Sequence, residues 1–327
     1  MTLVTKIAGK IAGLAGIAAL LLTAGAKETR AERPLSIVVG YTAGGTTDTI
    51  ARIIGSRLQE KLGRAVIIEN KPGATGQLGS RYVARAEPDG STIQIATQTT
   101  HAVAPSLYGH IGYDPIKDFT PIILAAWSPL VLVLNPELKV SSVKELIEYV
   151  KARPGAVNYA TGGRGDGSHL AALFFNKLAG ITPVAVPFQG EGPALPAVLG
   201  NQVPYMFLSA PTAAGSVEAN QLRGLAVTSK VRTSILPQLP TMQESGLPAY
   251  EMVNWWGFFG PAGMKDATVD TLNRAIAEVL KEPGTREKLK TLGYEITGST
   301  SQEFQTYVKE ENIKWSEVVK SQGLTPN

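Results

Sequence analysis

Apolar residues follow two rhythms along this chain. Short unbroken runs at Ser36-Ile37-Val38-Val39, residues 65–70 and residues 92–96 have the length and β-branched content of buried strands. Between them apolar positions recur every three to four residues. Ile50, Ala51, Ile53, Ile54, Leu58 and Leu62 predict one helix, ended by Gly63, and a small-residue helix is expected over 77–86. Strand, helix, strand, helix, strand predicts a parallel sheet covered by helices. From Ser141 the same order returns. Ser142 and Glu145 form a capping box for a helix to Lys151. Strands are then predicted at 157–160, 183–188 and 203–208, with helices over 170–178 and up to Gly200, and a last strand at 225–228. Past Pro261 the pattern is helical. Val269, Leu272, Ile276, Val279 and Leu280 mark one apolar face; Phe304, Tyr307, Val308 and Trp315 mark another.

Two stretches join the units. Residues 122–126 and 130–134 are apolar runs split by Trp127-Ser128-Pro129, and the second reads as a crossover into another domain. Residues 253–259 read as a return crossover, with Trp255 and Trp256 as core. Residues 104–121 and 229–249, punctuated by prolines, are expected to be irregular. Two crossings give hinge architecture. The prediction is an α/β chain of two lobes, residues 27–127 plus 251–327 and residues 128–250, each a mostly parallel sheet flanked by helices.

Each unit carries a glycine-rich turn directly after its first strand. One is Tyr41-Thr42-Ala43-Gly44-Gly45-Thr46-Thr47-Asp48. The other runs from Thr161 through Arg164-Gly165-Asp166-Gly167-Ser168 to His169. A helix that starts after such a turn offers unpaired N–H groups and partial positive charge, a setting for an anion. Two such termini aimed into one cleft would hold a carboxylate. The candidate contacts are Tyr41, Ala43, Gly44, Gly45, Thr46 and Asp48 from the first turn, and Arg164, Gly165, Asp166, Ser168 and His169 from the second. Thr97, Gln98 and Thr100, past the third strand, lie where open α/β sheets place ligands. Phe188 and Ser209 end two strands of the second unit and complete the set.

Composition refines this picture. The chain has 327 residues and a formal charge of +4, too mild for a nucleic-acid binder. Lys6 and Lys10 precede an apolar stretch at 11–26 that ends Thr23-Ala24-Gly25-Ala26, which reads as a signal peptide cut between Ala26 and Lys27. Without it the chain has 29 basic and 27 acidic residues. Cysteine is absent, which suits export and removes the anchor a lipid would use. A periplasmic monomer is expected.

Other chemistries fit poorly. The spacing Gly162-x4-Gly167-Ser168 begins like a phosphate-binding loop, but the required lysine is missing. Gly40, Gly44 and Gly45 do not make a dinucleotide fingerprint. His101, His110 and His169 lack zinc-ligand spacing. Ser168 beside His169 is better explained as a helix cap than as a nucleophile and base. Arg164-Gly165-Asp166 as an adhesion tripeptide is a chance match. No enzyme activity, cofactor or metal is expected.

A resemblance sharpens the expectation. Ala43-Gly44-Gly45-Thr46-Thr47-Asp48, Glu69-Asn70-Lys71-Pro72-Gly73-Ala74, Pro88-Asp89-Gly90, Tyr113-Asp114-Pro115 with Asp118-Phe119, and Val186-Pro187-Phe188 occur in order. So do Leu222-Arg223-Gly224-Leu225, Leu239-Pro240-Thr241, Glu244-Ser245-Gly246-Leu247-Pro248 and Trp256-Gly257. In this the chain resembles extracytoplasmic solute-binding proteins of the tripartite tricarboxylate transporter type, also called Bug receptors. The resemblance implies a type II periplasmic-binding fold that closes over a small organic acid and serves the membrane permease subunits of a tripartite transporter. It implies that one ligand carboxylate is held by the turn around Ala43, Gly44 and Gly45, with the loop before His169 opposite. A receptor for a sensor kinase, or a hydrolase of organic acids, would be the alternatives. Two positions depart from the family pattern: Arg164 stands near a site that is commonly Asn, and Pro204 replaces a common Asp. Arg164 suggests a ligand with a second carboxylate, or an aromatic one.

Overall fold

The computed structural model describes residues 33–321 and residue 323. The expected signal segment lies outside the described residues. β1 (Leu35–Val39) leads through the first glycine turn into α1 (Thr46–Leu62), and Gly63 ends that helix in the left-handed conformation. β2 (Val66–Asn70), α2 (Gln77–Ala84) and β3 (Thr92–Thr97) complete the first unit. Residues 99–103 then form a wide helical turn that runs into the short α3 (Ala104–Tyr108), where an irregular segment was expected. β4 (Phe119–Leu134) follows. The second unit comprises α4 (Val143–Lys151), β5 (Asn158–Thr161), α5 (Gly167–Ala179), β6 (Val184–Pro187), α6 (Glu191–Leu199) and β7 (Tyr205–Ser209). After it come α7 (Ala210–Glu218), β8 (Arg223–Val227), β9 (Val253–Pro261), α8 (Asp266–Lys281), α9 (Pro283–Thr291), β10 (Glu295–Ile296) and α10 (Ser301–Ser321).

The strands lie in the order β2-β1-β3-β9-β4-β7-β5-β6, with β8 and β10 also paired to β4. Within each unit the first three strands are parallel. The fourth neighbour is antiparallel in both cases, β9 beside β3 and β4 beside β7. The two runs around Trp127-Ser128-Pro129 are therefore one 16-residue strand, not a strand and a separate crossover. Proline is tolerated because residue 129 lies where the partner changes: it is the last to pair with β9, and Leu130 is the first to pair with β7.

Burial follows the faces of this sheet. Leu35, Ile37, Val39, Ile50, Ile54 and Leu58 pack with Phe258 and Ile276 on one face of the first unit. On the other face Trp255, Phe259, Phe304 and Trp315 join Phe174 and Phe207 of the second unit in one continuous cluster. Phe174 of α5 and Trp315 of α10 have ring centroids 6.1 Å apart, so the last helix packs against both units. At about 1.5–3 kcal/mol for each fully buried large side chain, this cluster contributes to holding them together.

α10 also carries a buried polar centre. Glu311 is 3% exposed. Its Oε2 accepts hydrogen bonds from Gln98 Nε2 at 3.1 Å, Trp255 Nε1 at 3.2 Å and Trp315 Nε1 at 3.1 Å, and its Oε1 pairs with Lys314. One carboxylate thus ties the end of β3, the return strand and the last helix together.

Candidate functional site

The first glycine turn lies at the carboxyl end of β1. Gly44 has φ +82°, a conformation costly for residues with a Cβ. Its N–H donates to Asp48 Oδ2 at 2.9 Å. Asp48 also pairs with Arg52 at 2.8 Å and accepts from Asn70 Nδ2 at 2.9 Å. The Arg52 hydrogen bond, helped by those of Gly44 and Asn70, holds the buried Asp48 carboxyl down at about 2. Asp48 therefore shapes the turn from beneath, and its oxygens are already engaged. Gly45 precedes the first helical residue and brings no capping side chain. The N–H groups of Thr46 and Thr47 have no acceptor within their own helix. Thr42, Ala43, Gly44 and Thr46 are exposed, and Gly45 is half-buried. Behind them Trp256 Nε1 donates to Thr47 Oγ1 at 3.1 Å, fixing the helix end to the return strand.

The second turn differs. α5 begins at Gly167, three residues before the predicted start at 170. Its cap is Asp166, not Ser168. Asp166 Oδ1 accepts from His169 N and from Ser168 Oγ, both at 2.8 Å. Ser168 Oγ accepts from Gly162 N at 2.8 Å, Thr161 Oγ1 from Gly163 N at 3.3 Å, and His169 Nδ1 from Gly165 N at 3.1 Å. Four N–H groups of this loop, those of Gly162, Gly163, Gly165 and His169, are thus taken by its own side chains, while those of Gly167 and Ser168 have no acceptor within their helix. Nearby, Glu191 accepts from Ser209 N at 3.0 Å and Ser209 Oγ at 2.6 Å, placing a carboxylate at the start of α7. The two helix ends therefore differ in their caps: α1 has no capping side chain, whereas at α5 Asp166 accepts from His169 N.

These groups have displaced proton affinities. Burial, with Glu191 adding to it, pushes the Asp166 carboxyl up to about 6, and burial also raises Glu191. Burial and the charge of Arg164 push His169 down to about 4. A neutral ring suits an Nδ1 that accepts from Gly165. For Asp166 the sign is unusual. Between about pH 4 and 6 the folded chain keeps a proton that the unfolded chain has lost, so this group's contribution to stability falls as pH rises. Asp166→Asn keeps the cap and removes that slope. Unfolding midpoints across this window should fall less with rising pH in the variant. The gain at pH 7 is expected to be on the order of 1–3 kcal/mol. Equal pH dependence in both proteins would contradict it.

Leu107 and Tyr108, which sequence reasoning passed over, pack against the second turn. Gly165 has φ +80°, and a Cβ there would strike Leu107 and lie 3.0 Å from the Tyr108 hydroxyl. Tyr108 Oη donates to Arg164 O at 3.4 Å. Tyr41 shares a hydrogen bond with Thr97 Oγ1 at 2.8 Å. Its hydroxyl is pushed up to about 12 by burial, with Tyr108 near enough to add to the effect. Tyr41, Thr97, Tyr108 and the Arg164-Gly165 backbone are thus brought together. Arg164 itself is exposed.

Other candidates are placed elsewhere or already engaged. Thr100 is buried, its hydroxyl bound to Thr97 N and Thr97 O. Gln98 is buried against Glu311. Phe188 is half-buried beside an apolar cluster under the second sheet. Ser209 is held by Glu191. Pro204 lies just before β7, and its carbonyl accepts from Asn135 N at 2.9 Å. Tyr108 had no sequence signal, because its helix is a single short turn. Asn254 had one: it is the polar residue that interrupts the apolar β9.

Two α/β units joined by antiparallel crossover strands, with a bare helix end past the first strand, define a two-lobed solute-binding protein of type II. Residues 50–324 match the family described as tripartite tricarboxylate transporter family receptor, and the chain belongs to that family. It is 32% identical over 324 residues to BugT of Bordetella pertussis, covering 99% of this chain and 98% of that one. Among solved structures, Rpa4515 of R. palustris with adipate is 35% identical, with a TM-score of 0.76 over 90% of this chain and 99% of that one. MatC of Rhodopseudomonas palustris with bound malate is 33% identical, with a TM-score of 0.73 over 88% and 99%.

Proposed function

We propose that this receptor binds a small organic carboxylate in the periplasm and passes it to the membrane permease subunits of a tripartite transporter. The observation that carries this reading is the uncapped N-terminus of α1 behind Gly44-Gly45, where the helix end favours a negative charge and no side chain of the turn fills it. The adipate and malate bound by the two Rhodopseudomonas relatives support the ligand class. Among the described residues no helix is long and apolar enough to cross a membrane. The protein acts by binding, without turnover. Residues 27–127 with 251–327 form one lobe and residues 128–250 the other, and they close because the ligand makes contacts in the closed state that it lacks in the open one.

In this reading Arg164, on the second turn, takes a second carboxylate of the ligand. A thermal-shift panel of short mono- and dicarboxylates tests it. The wild type should be stabilised most by a dicarboxylate, and Arg164→Asn should bind that ligand about tenfold more weakly while keeping its affinity for monocarboxylates. An unchanged order of preference in the variant counts against the role of Arg164. Stabilisation by no carboxylate at all counts against the ligand class.

A further inference from the structure

We infer that Asn254 is a ligand contact of this site and sets which group the ligand may carry away from its anchored carboxylate. The inference rests on the reading above and adds a residue from the return strand. Three observations place it. β3 ends at Thr97, whose partner on β9 is Trp256. Asn254 therefore lies two residues beyond the carboxyl end of the parallel strands, in the crevice position of an open α/β sheet. Residues two apart on a strand share a face, so Asn254 projects to the same side as Trp256. The Trp256 indole reaches Thr47 in the first turn of α1, so this side of β9 is the one next to the bare helix end.

From the other direction, α5 comes in at Gly167. A Cβ at that position would collide with the Asn254 carboxamide, lying 2.9 Å from its Nδ2. Gly167 has no need of glycine for its own backbone: its φ is not positive. Its lack of a side chain instead leaves room for Asn254. The carboxamide thus stands between the first turns of α1 and α5, one from each unit. It is half-buried, and among the described residues nothing hydrogen-bonds it.

A half-buried carboxamide whose donor and acceptor have no protein partner among the described residues, in a strand of otherwise apolar residues, is open to pair with a ligand. A ligand held by its carboxylate at α1 would present its next polar group there. Asn254 can donate to a carboxylate or accept from a hydroxyl or amide. Asp at the same position could only accept, and would repel an anion.

Calorimetric titration of the wild type, Asn254→Ala and Asn254→Asp decides the matter. The probes are short dicarboxylates and the monoamide of the tightest one. The wild type should bind the dicarboxylate. Asn254→Ala should bind it at least tenfold more weakly. Asn254→Asp should weaken it further while binding the monoamide better than the dicarboxylate, an inversion that a packing defect would not produce. Because Asp is isosteric with Asn, this arm holds even if the alanine variant folds poorly. If the wild type binds and Asn254→Asp keeps the same affinity and the same order, the assignment is overturned and the receptor reading stands. If the wild type binds neither probe nor any other carboxylate, the receptor reading falls and the assignment with it.

Discussion

Replacing Glu311 with alanine should cost about 3–5 kcal/mol of stability, the largest loss expected of any single polar substitution here. Two opposing terms decide this. Burying the carboxylate costs several kcal/mol, which Lys314 and three N–H donors offset in the native protein. The alanine variant recovers that cost. It also leaves two indole N–H groups and the Gln98 amide without an acceptor in a dry site, and leaves the Lys314 charge unpaired by its neighbour. Each stranded donor costs about 1–3 kcal/mol, so the loss outweighs the recovery. Denaturant unfolding should show a lower midpoint at unchanged slope. Glu311→Gln, which keeps an acceptor for the indoles, should lose roughly half as much. A loss below about 1 kcal/mol for the alanine variant would show that the centre is not structural.

Gly165→Val should weaken ligand binding by about a hundredfold while leaving each lobe folded. A β-branched residue at φ +80° is strained by about 1–3 kcal/mol in its own backbone. The new side chain would also push against Leu107 and Tyr108, the part of the first unit on which this turn rests. Both effects favour separation of the turn from α3. A ligand that binds the closed arrangement must then restore it, and its apparent affinity falls by the fraction closed. Calorimetry measures the affinity, and small-angle scattering with ligand measures the compaction. Wild-type affinity in the variant would mean that contact between the second turn and α3 is no part of the bound state.

Much of the fold could be read from hydrophobic rhythm, because the elements concerned have one buried face. Ile50, Ile54 and Leu58 mark α1 as clearly in the sequence as in the core, and Gly63 and Ser142 end or begin helices where expected. The joining of residues 122–126 and 130–134 into one strand was not legible. Proline normally signals a break, and only the change of partner at residue 129 makes it harmless. The site divides in the same way. Glycine spacing locates both turns. It does not say which helix end carries a side-chain cap, since that depends on whether a neighbouring carboxylate folds back. Asp166 does so at α5, while Asp48 reaches Gly44 and leaves the N–H groups after Gly45 alone. Buried residues such as Thr100 and Gln98 look like ligand contacts in sequence because a polar cluster past a strand can face either the crevice or the helix behind it.

β4 and β9 have a wider consequence. In each sheet the strand beside the third parallel one comes from chain on its way between the units, β9 in one and β4 in the other. Neither half could be cut out and expressed alone without exposing an open sheet edge, and an exchange of halves between relatives would have to carry both linking strands with it.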